Sequence, residues 1–217
     1  MALFTLPLPE SDVPGWFGKL PGMGDFGQRR LPPRFRAVWD EWLQKGLHAL
    51  RAEREDWVTD YLNAPIWYFA LGEGIISPSA WIGVLMPSVD SVGRYFPLTL
   101  AIELIPGNGA SVEGEMVRIH QWWRRSAKAA LAGLASNMGA EHFDVHLQTQ
   151  FRAGSEPEKI CTSMLSLPGE GMSSWYVDAG ASSSVIETVS NLPSSAGFSV
   201  LFCPSSLAID SQPSQFR

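Results

Sequence analysis

Ile66-Trp-Tyr-Phe-Ala-Leu71 and Ala80-Trp-Ile-Gly-Val-Leu-Met86 are the two stretches that decide the fold class of this chain. Both are short and almost wholly apolar, and Gly72-Glu-Gly74 follows the first of them. Short apolar runs bounded by turn residues are typical of strands that are buried on both faces. We therefore predict that the two runs form a buried β-hairpin.

The residues before this hairpin predict a long helix that begins near Pro33, because proline is tolerated in a first helical turn. Apolar side chains recur there at helical spacing, and they are Phe35, Val38, Trp39, Trp42, Leu43, Leu47 and Leu50. The other face of the helix is polar, so we expect the helix to lie on a core. Residues 56–62 predict a short turn of helix, and residues 95–104 predict a third strand with Pro97 near its start.

The second half of the chain predicts further helices and strands. Ser111 is a suitable N-cap for a helix over residues 112–134, and Glu113 and Glu115 lie where the helix dipole favours acidic side chains. Residues 142–151 alternate between apolar and polar side chains, which predicts a strand with one face in water.

The elements that follow are shorter. We predict a helix over residues 156–165 and a strand over residues 174–178, whereas residues 198–202 fit either a strand or a last helical turn. Residues 205–217 are typical of a loose tail. Helices interleaved with runs of strands indicate an α/β fold. We expect a single domain over residues 1–217, built as a mixed, largely antiparallel sheet flanked by helices on both faces, which is an αβα sandwich.

The composition limits the function classes. The 217 residues are 45% hydrophobic, which is enough for one large core. A net charge of -6 and a pI near 5.2 disfavour nucleic-acid binding, which needs clustered basic side chains. Two distant cysteines, Cys161 and Cys203, suit a reducing compartment and predict no structural disulfide. Because there is no basic leader and no run nears the ~18 apolar residues of a membrane span, we expect a cytoplasmic protein without membrane insertion.

Two segments combine glycine, proline, aromatic and charged residues, Gly15-Trp-Phe-Gly-Lys-Leu-Pro-Gly-Met-Gly-Asp-Phe26 and Pro87-Ser-Val-Asp-Ser-Val-Gly-Arg-Tyr-Phe-Pro97. We interpret both as loops between regular elements, shaped for chemistry or for contact. In the first segment, Trp16 and Phe17 are either a hydrophobic staple or an exposed anchor for a partner. Asp25 and Arg94 either fix the loops, through a salt bridge or backbone hydrogen bonds, or have a direct functional role.

Cofactor motifs fit the chain poorly. Gly22-Met-Gly-Asp-Phe-Gly27 has the spacing of a dinucleotide fingerprint, but Leu31-Pro-Pro33 stands where a helix must follow. Gly18-Lys19 fails as a phosphate loop, because Leu20 replaces the required hydroxyl residue. We therefore expect no bound cofactor.

Metal and catalytic sites find little support either. His142 and His146 are four residues apart, a spacing that on a helix would bring both imidazoles to one metal ion. On the strand expected here they lie about 13 Å apart, given a rise of roughly 3.3 Å per residue, so we expect no metal site. A catalytic set of Ser88, Asp90 and a distant histidine stays open, because triads are recognised by geometry.

Several uncommon strings together resemble one known family. They are Gly15-Trp-Phe-Gly-Lys-Leu-Pro21, Gly24-Asp-Phe26, Trp39-Asp-Glu-Trp42, Ala64-Pro-Ile-Trp67, Met86-Pro-Ser-Val-Asp90 and Gly93-Arg-Tyr-Phe-Pro-Leu98. In this order they are similar to the TagF/ImpM family of bacterial type VI secretion accessory proteins. The resemblance covers about the first half of the chain and is loose after Ile105. Many relatives carry a basic residue just before the Gly-Asp-Phe string, where this chain has Met23, so we expect no charge-based role there.

The resemblance implies a regulator and not an enzyme. Members of the family are associated with post-translational repression of the type VI secretion apparatus, through contact with the cytoplasmic Fha (forkhead-associated) scaffold protein. Our hypothesis is that the two segments pack side by side and form the docking face that sequesters this scaffold. Replacing Trp16 or Arg94 should then weaken binding and leave thermal stability nearly unchanged. The candidate partner-binding residues are Trp16, Phe17, Lys19, Asp25, Phe26, Asp90, Arg94 and Tyr95.

Two alternatives come from other function classes. One is a hydrolase or phosphatase that acts in the same regulatory pathway, although a two-metal phosphatase needs clustered carboxylates and Asp25, Asp90 and Asp144 are isolated in sequence. The other is a small-molecule sensor, which predicts an enclosed apolar pocket between the two segments.

Overall fold

The computed structural model describes residues 4–7, 12–107, 111–152, 167–177 and 185–203 of the chain. The strands in these ranges are β1 (Phe4–Thr5), β2 (Gly15–Lys19), β3 (Phe26–Arg29), β4 (Trp67–Leu71), β5 (Trp81–Met86), β6 (Leu98–Glu103), β7 (Ile105–Pro106), β8 (Met172–Tyr176) and β9 (Val185–Ser190). The helices are α1 (Pro33–Glu53), α2 (Trp57–Asn63), α3 (Val112–Ala135), α4 (Ala140–Arg152) and α5 (Ser195–Leu201).

One sheet organises the fold. Its strands follow the order β3-β2-β6-β5-β4-β8-β9, and every neighbouring pair is antiparallel. The predicted hairpin is confirmed as β4 and β5, which pair from Trp67 opposite Leu85 to Leu71 opposite Trp81. The predicted third strand is β6, which continues the sheet beside β5. Strands β1 and β7 form a separate two-stranded pair.

Each face of this sheet carries its own hydrophobic core. Along β5, Trp81 and Leu85 belong to the cluster that contains the buried face of α1. Ile82 and Val84 belong to the cluster that contains the buried face of α3. Successive strand side chains point to opposite faces, so a wholly buried strand such as β5 requires cover on both sides. The expected αβα sandwich is therefore confirmed.

Helix α1 follows the predicted pattern, with buried side chains Phe35, Trp39, Leu43, Leu47 and Leu50. The buried indole of Trp39 donates a hydrogen bond from Nε1–H to Thr99 Oγ1 at 2.9 Å. Helix α5 packs across α1 at Gly46, where an added Cβ would lie 2.2 Å from Phe198 Cγ. Val38, which we expected on the core face, is instead 37% exposed.

The predicted strand over residues 142–151 is wrong, because these residues form helix α4. Phe143, Leu147 and Phe151 are buried, and their spacing of four places them on one helical face. Val145, which alternation would bury with them, is 62% exposed. Phe143, Leu147 and Phe151 fit both the helical period and the strand period, and packing against α3 selects the helix. Gly133 of α3 leaves room for the Phe143 ring, because a Cβ added at Gly133 would lie 2.4 Å from Phe143 Cδ2.

The other predictions have mixed outcomes. Helix α3 begins as expected, with Ser111 Oγ accepting a hydrogen bond from Gly114 N at 3.2 Å. The strand near residue 174 is β8, and the ambiguous run near residue 198 is the helix α5. Residues 156–165, the tail from residue 205 and Cys161 lie outside the described residues. Cys203 is buried and its thiol lies 3.5 Å from Asp60 Oδ2. None of the described helices is long and apolar enough to cross a membrane.

Gly83 offers a test of how tightly the two cores meet in the sheet. A Cβ at this position would lie 2.1 Å from Phe69 Cζ and 2.6 Å from the Leu100 carbonyl oxygen. Gly83→Ala should therefore lower the free energy of unfolding by about 1–3 kcal/mol, the usual cost of overpacking a core. Urea denaturation measures this change.

Gly169→Ala is the matched control, because an added Cβ there meets no atom within 4 Å. A Gly83→Ala variant that is as stable as this control would contradict the packing described for β5.

Candidate functional site

The first special segment is mainly a β-hairpin and not the loop we expected. Strands β2 and β3 pair from Trp16 opposite Arg29 to Lys19 opposite Phe26, and only the residues between the strands form the turn. Gly18 explains part of the glycine content, because its φ is +138° and an added Cβ would lie 2.2 Å from the Pro97 carbonyl oxygen. The glycine therefore lets β2 approach the second segment closely.

Trp16 and Phe17 are core residues, so the interpretation of Trp16 as an exposed anchor is wrong. Trp16 is fully buried, packs edge-to-face on Phe143 with ring centroids 5.2 Å apart, and donates Nε1–H to Asp144 Oδ1 at 3.1 Å. Phe17 is 8% exposed and belongs to the opposite core, as its neighbouring position in a strand requires. We missed this because we took the glycines beside them as evidence of a loop.

The two special segments do pack side by side, as the hypothesis requires. Ser91 N donates to the Met23 carbonyl oxygen at 3.0 Å, which joins the hairpin turn to the second segment. Ser88 Oγ donates to the Lys19 carbonyl oxygen at 2.7 Å. The Arg94 guanidinium donates to the Gly24 carbonyl oxygen. The contact is therefore made largely by hydrogen bonds to backbone atoms.

A buried ion pair between Lys19 and Asp90 lies at the centre of this contact. Both residues are only 3% exposed, although each carries a formal charge. Arg94 adds a second cation, with Nε 2.8 Å from Asp90 Oδ2. The other carboxylate oxygen of Asp90 accepts backbone hydrogen bonds from Val92 N at 3.1 Å and Arg94 N at 2.9 Å. The buried carboxylate is thus fully hydrogen-bonded, as a buried charge requires.

Hydrogen bonding controls the ionisation of Asp90. Desolvation by burial on its own raises the pKa of this carboxyl, but the hydrogen bonds from Lys19, Arg94 and the Val92 backbone outweigh it. The pKa of Asp90 is therefore held well below its usual range.

Asp25 does not pair with Arg94. Asp25 is exposed, and its carboxylate accepts a hydrogen bond from the adjacent Phe26 N at 2.8 Å. Arg94 instead takes Asp90 four residues earlier as its ion-pair partner. Of the two residues we singled out, only Arg94 fixes the second segment to the first.

Phe26 covers Lys19 of the ion pair and belongs to a cluster of three phenylalanines. Phe26 contacts Phe17, with ring centroids 5.8 Å apart, and Phe96, with ring centroids 4.8 Å apart. Lys19 Nζ lies 4.5 Å from the centroid of the Phe26 ring, a cation–π geometry. Phe26 nevertheless remains 46% exposed. Phe26 therefore shields a buried charge and also presents apolar surface to solvent.

The exposed residues around this contact form what we call the tip surface. Its members are Gly24, Asp25, Phe26, Ser91, Val92, Gly93 and Arg94. Val92 is 67% exposed, and its backbone N donates to Asp90 Oδ1. We did not single out Val92 from the sequence, since a valine gives no signal of exposure by itself.

A cleft of about 450 Å³ lies beside the tip surface, which we call the α1 cleft. It is lined by Gln44, Lys45, Leu47, His48, Arg51 and Phe96. Phe96 connects the two features, because it contacts Phe26 and also lines the cleft. The sequence did contain a signal for this site, the basic side chains on the polar face of α1. We used that face only as evidence that the opposite, apolar face of α1 lies on a core.

Tyr95 precedes Phe96 in the chain and is half-buried. Its ring contacts Trp57 edge-to-face, with centroids 5.4 Å apart, and its carbonyl oxygen accepts from Arg51 Nη2 at 3.5 Å. The Arg51 guanidinium lies 4.6 Å from the centroid of the Trp57 ring. Tyr95 therefore joins the second special segment to helices α1 and α2.

The carboxylates that we considered for metal binding lie in separate contacts. Asp144 pairs with Arg30 at 2.7 Å and accepts from Trp16 and from Gln148. Desolvation by burial raises the pKa of Asp144, but the hydrogen bonds from Arg30 and Trp16 outweigh it, so the pKa is lowered. Among the described residues, no group of three or more histidine, cysteine, aspartate or glutamate side chains could hold a metal ion.

The distance that we expected between His142 and His146 is wrong, since both lie on helix α4. Residues four apart on a helix are neighbours on one face. His142 is exposed, whereas His146 Nε2 is buried and has no hydrogen-bond partner in the described part of the chain.

Ser88, the candidate nucleophile, has a structural contact on each side. Its Oγ donates to the Lys19 carbonyl oxygen and its N donates to Tyr61 Oη at 2.9 Å. Residues 22–27, with the dinucleotide spacing, lead into strand β3 and not into a helix. The fingerprint therefore lacks its required context here.

Comparison with known proteins finds a matching family and a similar solved structure. The model of the TagF N-terminal domain, described as type VI secretion system-associated, matches residues 15–150. The crystal structure of PA0076 from Pseudomonas aeruginosa PAO1 is 31% identical in sequence, with a TM-score of 0.67. The match covers 88% of this chain and 94% of that one. No match is found among curated proteins.

Because Trp16 is a core residue, we expect its side chain to contribute strongly to the free energy of unfolding. Trp16→Ala removes a fully buried side chain, and we expect it to lower the free energy of unfolding by about 3–5 kcal/mol. Trp16→Phe keeps a ring against Phe143 but loses the bond to Asp144, so its loss should be smaller. Urea denaturation of both variants, with half-buried Trp57→Ala for comparison, measures these changes. A Trp16→Ala protein as stable as wild type would restore the exposed-anchor interpretation.

Stability should fall in acid through Asp90 and Asp144. The pKa of each is lowered in the folded state, so each contributes fully above the ordinary aspartate value of about 3.9. That contribution is lost as the pH falls through this value towards the lower folded pKa. Asp12 has the opposite effect on the pH dependence of stability. Desolvation by burial raises its pKa, and this effect exceeds the lowering by the nearby Arg125 and Arg118.

Urea denaturation between pH 3 and pH 7 tests this prediction. Asp90→Asn should lower the free energy of unfolding at pH 7, since the buried cation then lacks its partner. It should also make the loss of stability below pH 4 less steep, because the carboxyl group that titrates has been removed. An acid limb that is equally steep in the variant would mean that Asp90 does not carry the dependence.

Proposed function

Because the chain belongs to the TagF family of type VI secretion system-associated proteins, we propose that it represses assembly of that apparatus after translation, by binding and sequestering the Fha scaffold protein. In this proposal the protein acts in the cytoplasm, where it holds the scaffold away from the apparatus. The tip surface is the docking face.

The observation that supports this face best is an exposed apolar pair on a rigid support. Phe26 is 46% exposed and its ring covers Lys19, whereas Val92 is 67% exposed and its backbone N donates to Asp90. A surface that is already ordered loses little conformational entropy when a partner binds. Exposed apolar side chains on such a surface gain free energy by leaving water.

The candidate residues divide into two roles in this proposal. Phe26, Asp25 and Arg94 are exposed and can contact a partner directly, and half-buried Tyr95 borders the same surface. Three buried candidates, Phe17, Lys19 and Asp90, support the surface through their contacts with Phe26 and Arg94. The fourth, Trp16, lies in the core on the opposite face of the sheet. Substitution of a buried candidate would therefore change binding through the fold.

We also propose that the protein acts by binding and not by catalysis. The carboxylates of Asp90 and Asp144 are each engaged by cationic side chains, and Asp25 accepts from its own loop. Ser88 Oγ is engaged by a backbone carbonyl. A small-molecule sensor would place its ligand between the two segments, where the Lys19–Asp90 pair lies. These contacts favour an interaction surface over both alternatives.

Calorimetric titration with the purified Fha scaffold protein tests the proposal. Val92→Ser should weaken binding about tenfold, or ~1.4 kcal/mol, because it removes exposed apolar surface and leaves the backbone contacts to Asp90 in place. Phe26→Ala should weaken binding as well, with some loss of stability, because its ring covers Lys19.

Val145→Ser is the matched control. Val145 is 62% exposed on α4, on the other side of the sheet from α1, and the substitution is the same. Equal affinities for the two serine variants would remove the tip surface as the docking face. If the wild-type chain shows no binding at ~100 μM, its binding free energy is weaker than about -5.5 kcal/mol, and direct sequestration is overturned.

A further inference from the structure

His142 and His146 are the two of the four histidines in the chain that lie four residues apart. Both belong to helix α4, where a rise of roughly 1.5 Å per residue separates them by about 6 Å along the axis, a little more than one turn. Residues at this spacing are neighbours on one helical face, with Cβ atoms about 5–6 Å apart. Two imidazoles in this arrangement can reach a single metal ion, as those of the H-E-x-x-H helix in metalloproteases do.

The pair lies on a side of α4 that borders solvent. The buried side chains of the helix are Phe143, Leu147 and Phe151. His142 is exposed and His146 is half-buried. Because a helical side chain leans toward the N-terminus of its helix, His146 leans towards His142. An ion can therefore approach the pair from the solvent side of α4.

The imidazole of His146 is the observation that points to a ligand. Its Nε2 is buried and has no hydrogen-bond partner within the described ranges. A polar atom that has left water without gaining a hydrogen bond costs free energy. Because no hydrogen bond holds Nε2, the ring can turn about its Cβ–Cγ bond, a broad torsion in histidine, without losing one. A metal ion would supply the interaction that Nε2 lacks.

We infer that His142 and His146 together bind one divalent transition-metal ion of the kind that imidazole ligands suit, such as Cu²⁺ or Zn²⁺. Each histidine gives one ring nitrogen, and water completes the coordination. The ion then links two successive turns of α4. The inference goes beyond the proposed function, because the pair is not part of the tip surface and needs no partner protein.

The residue after the first histidine favours metal binding over metal-dependent hydrolysis. In the H-E-x-x-H motif a glutamate at that place acts as the general base. Here the place is taken by Phe143, which is fully buried and packs on Trp16. A phenylalanine ring accepts no proton. The pair therefore predicts a binding site for an ion and not a metalloprotease centre.

Calorimetric titration of the full chain, prepared without a histidine tag, tests the inference. We expect saturable binding of one Cu²⁺ ion per chain, and weaker binding of Zn²⁺, which follows the general affinity order of these two ions. Mg²⁺ should give no saturable binding, because it prefers oxygen ligands. Excess Zn²⁺ should also raise the melting temperature, since a ligand of the folded state stabilises it.

Variants of single histidines locate the ion. His142→Ala and His146→Ala should each weaken Cu²⁺ binding about tenfold or more, because the second imidazole acts at the high effective concentration of an intramolecular ligand. His48→Ala is the matched control, since His48 is exposed on α1 and has no histidine four residues away. Circular dichroism checks the folding of each variant, and exposed His142 keeps the test independent of any loss of packing at His146.

Two outcomes would contradict the metal site. One is the absence of saturable Cu²⁺ binding by the wild-type chain up to about 100 μM. The other is an equal effect of His48→Ala and His142→Ala on the affinity, which would mean adventitious binding by exposed histidines. Loss of Cu²⁺ affinity in both α4 variants, together with an unchanged affinity in His48→Ala, would support the pair as the ligands.

Discussion

The buried pair of Lys19 and Asp90 is the contact on which the rest of this surface depends. The two residues are separated by 71 positions in the chain, and their contact joins the end of β2 to the segment after β5. Removing either member would leave a buried charge without a partner, which is among the most costly changes in a protein interior. This contact therefore fixes the position of the segment after β5 relative to β2. Arg94 and the backbone N of Val92 complete the hydrogen bonding of the Asp90 carboxylate.

The exposed features follow from this constraint. Val92 donates its backbone N–H to Asp90 and has an exposed side chain, and Phe26 covers Lys19 while remaining 46% exposed. Phe26 in turn contacts Phe96, whose other side lines the α1 cleft. The tip surface and the cleft are thus built around the same buried cluster. A partner that contacts both would bind an area that is continuous and already ordered.

Patterns with one reading could be predicted from the sequence, and ambiguous ones could not. Helix α1 was predictable because its apolar spacing fits the helical period, and the hairpin of β4 and β5 was predictable because its two apolar runs are short and bounded by turn residues. Helix α4 was not, since Phe143, Leu147 and Phe151 fit both periods until α3 is packed against them. Trp16 was misjudged because Gly15 and Gly18 suggested a loop. Gly18 instead permits close approach to Pro97, a tertiary reason that has no local signal.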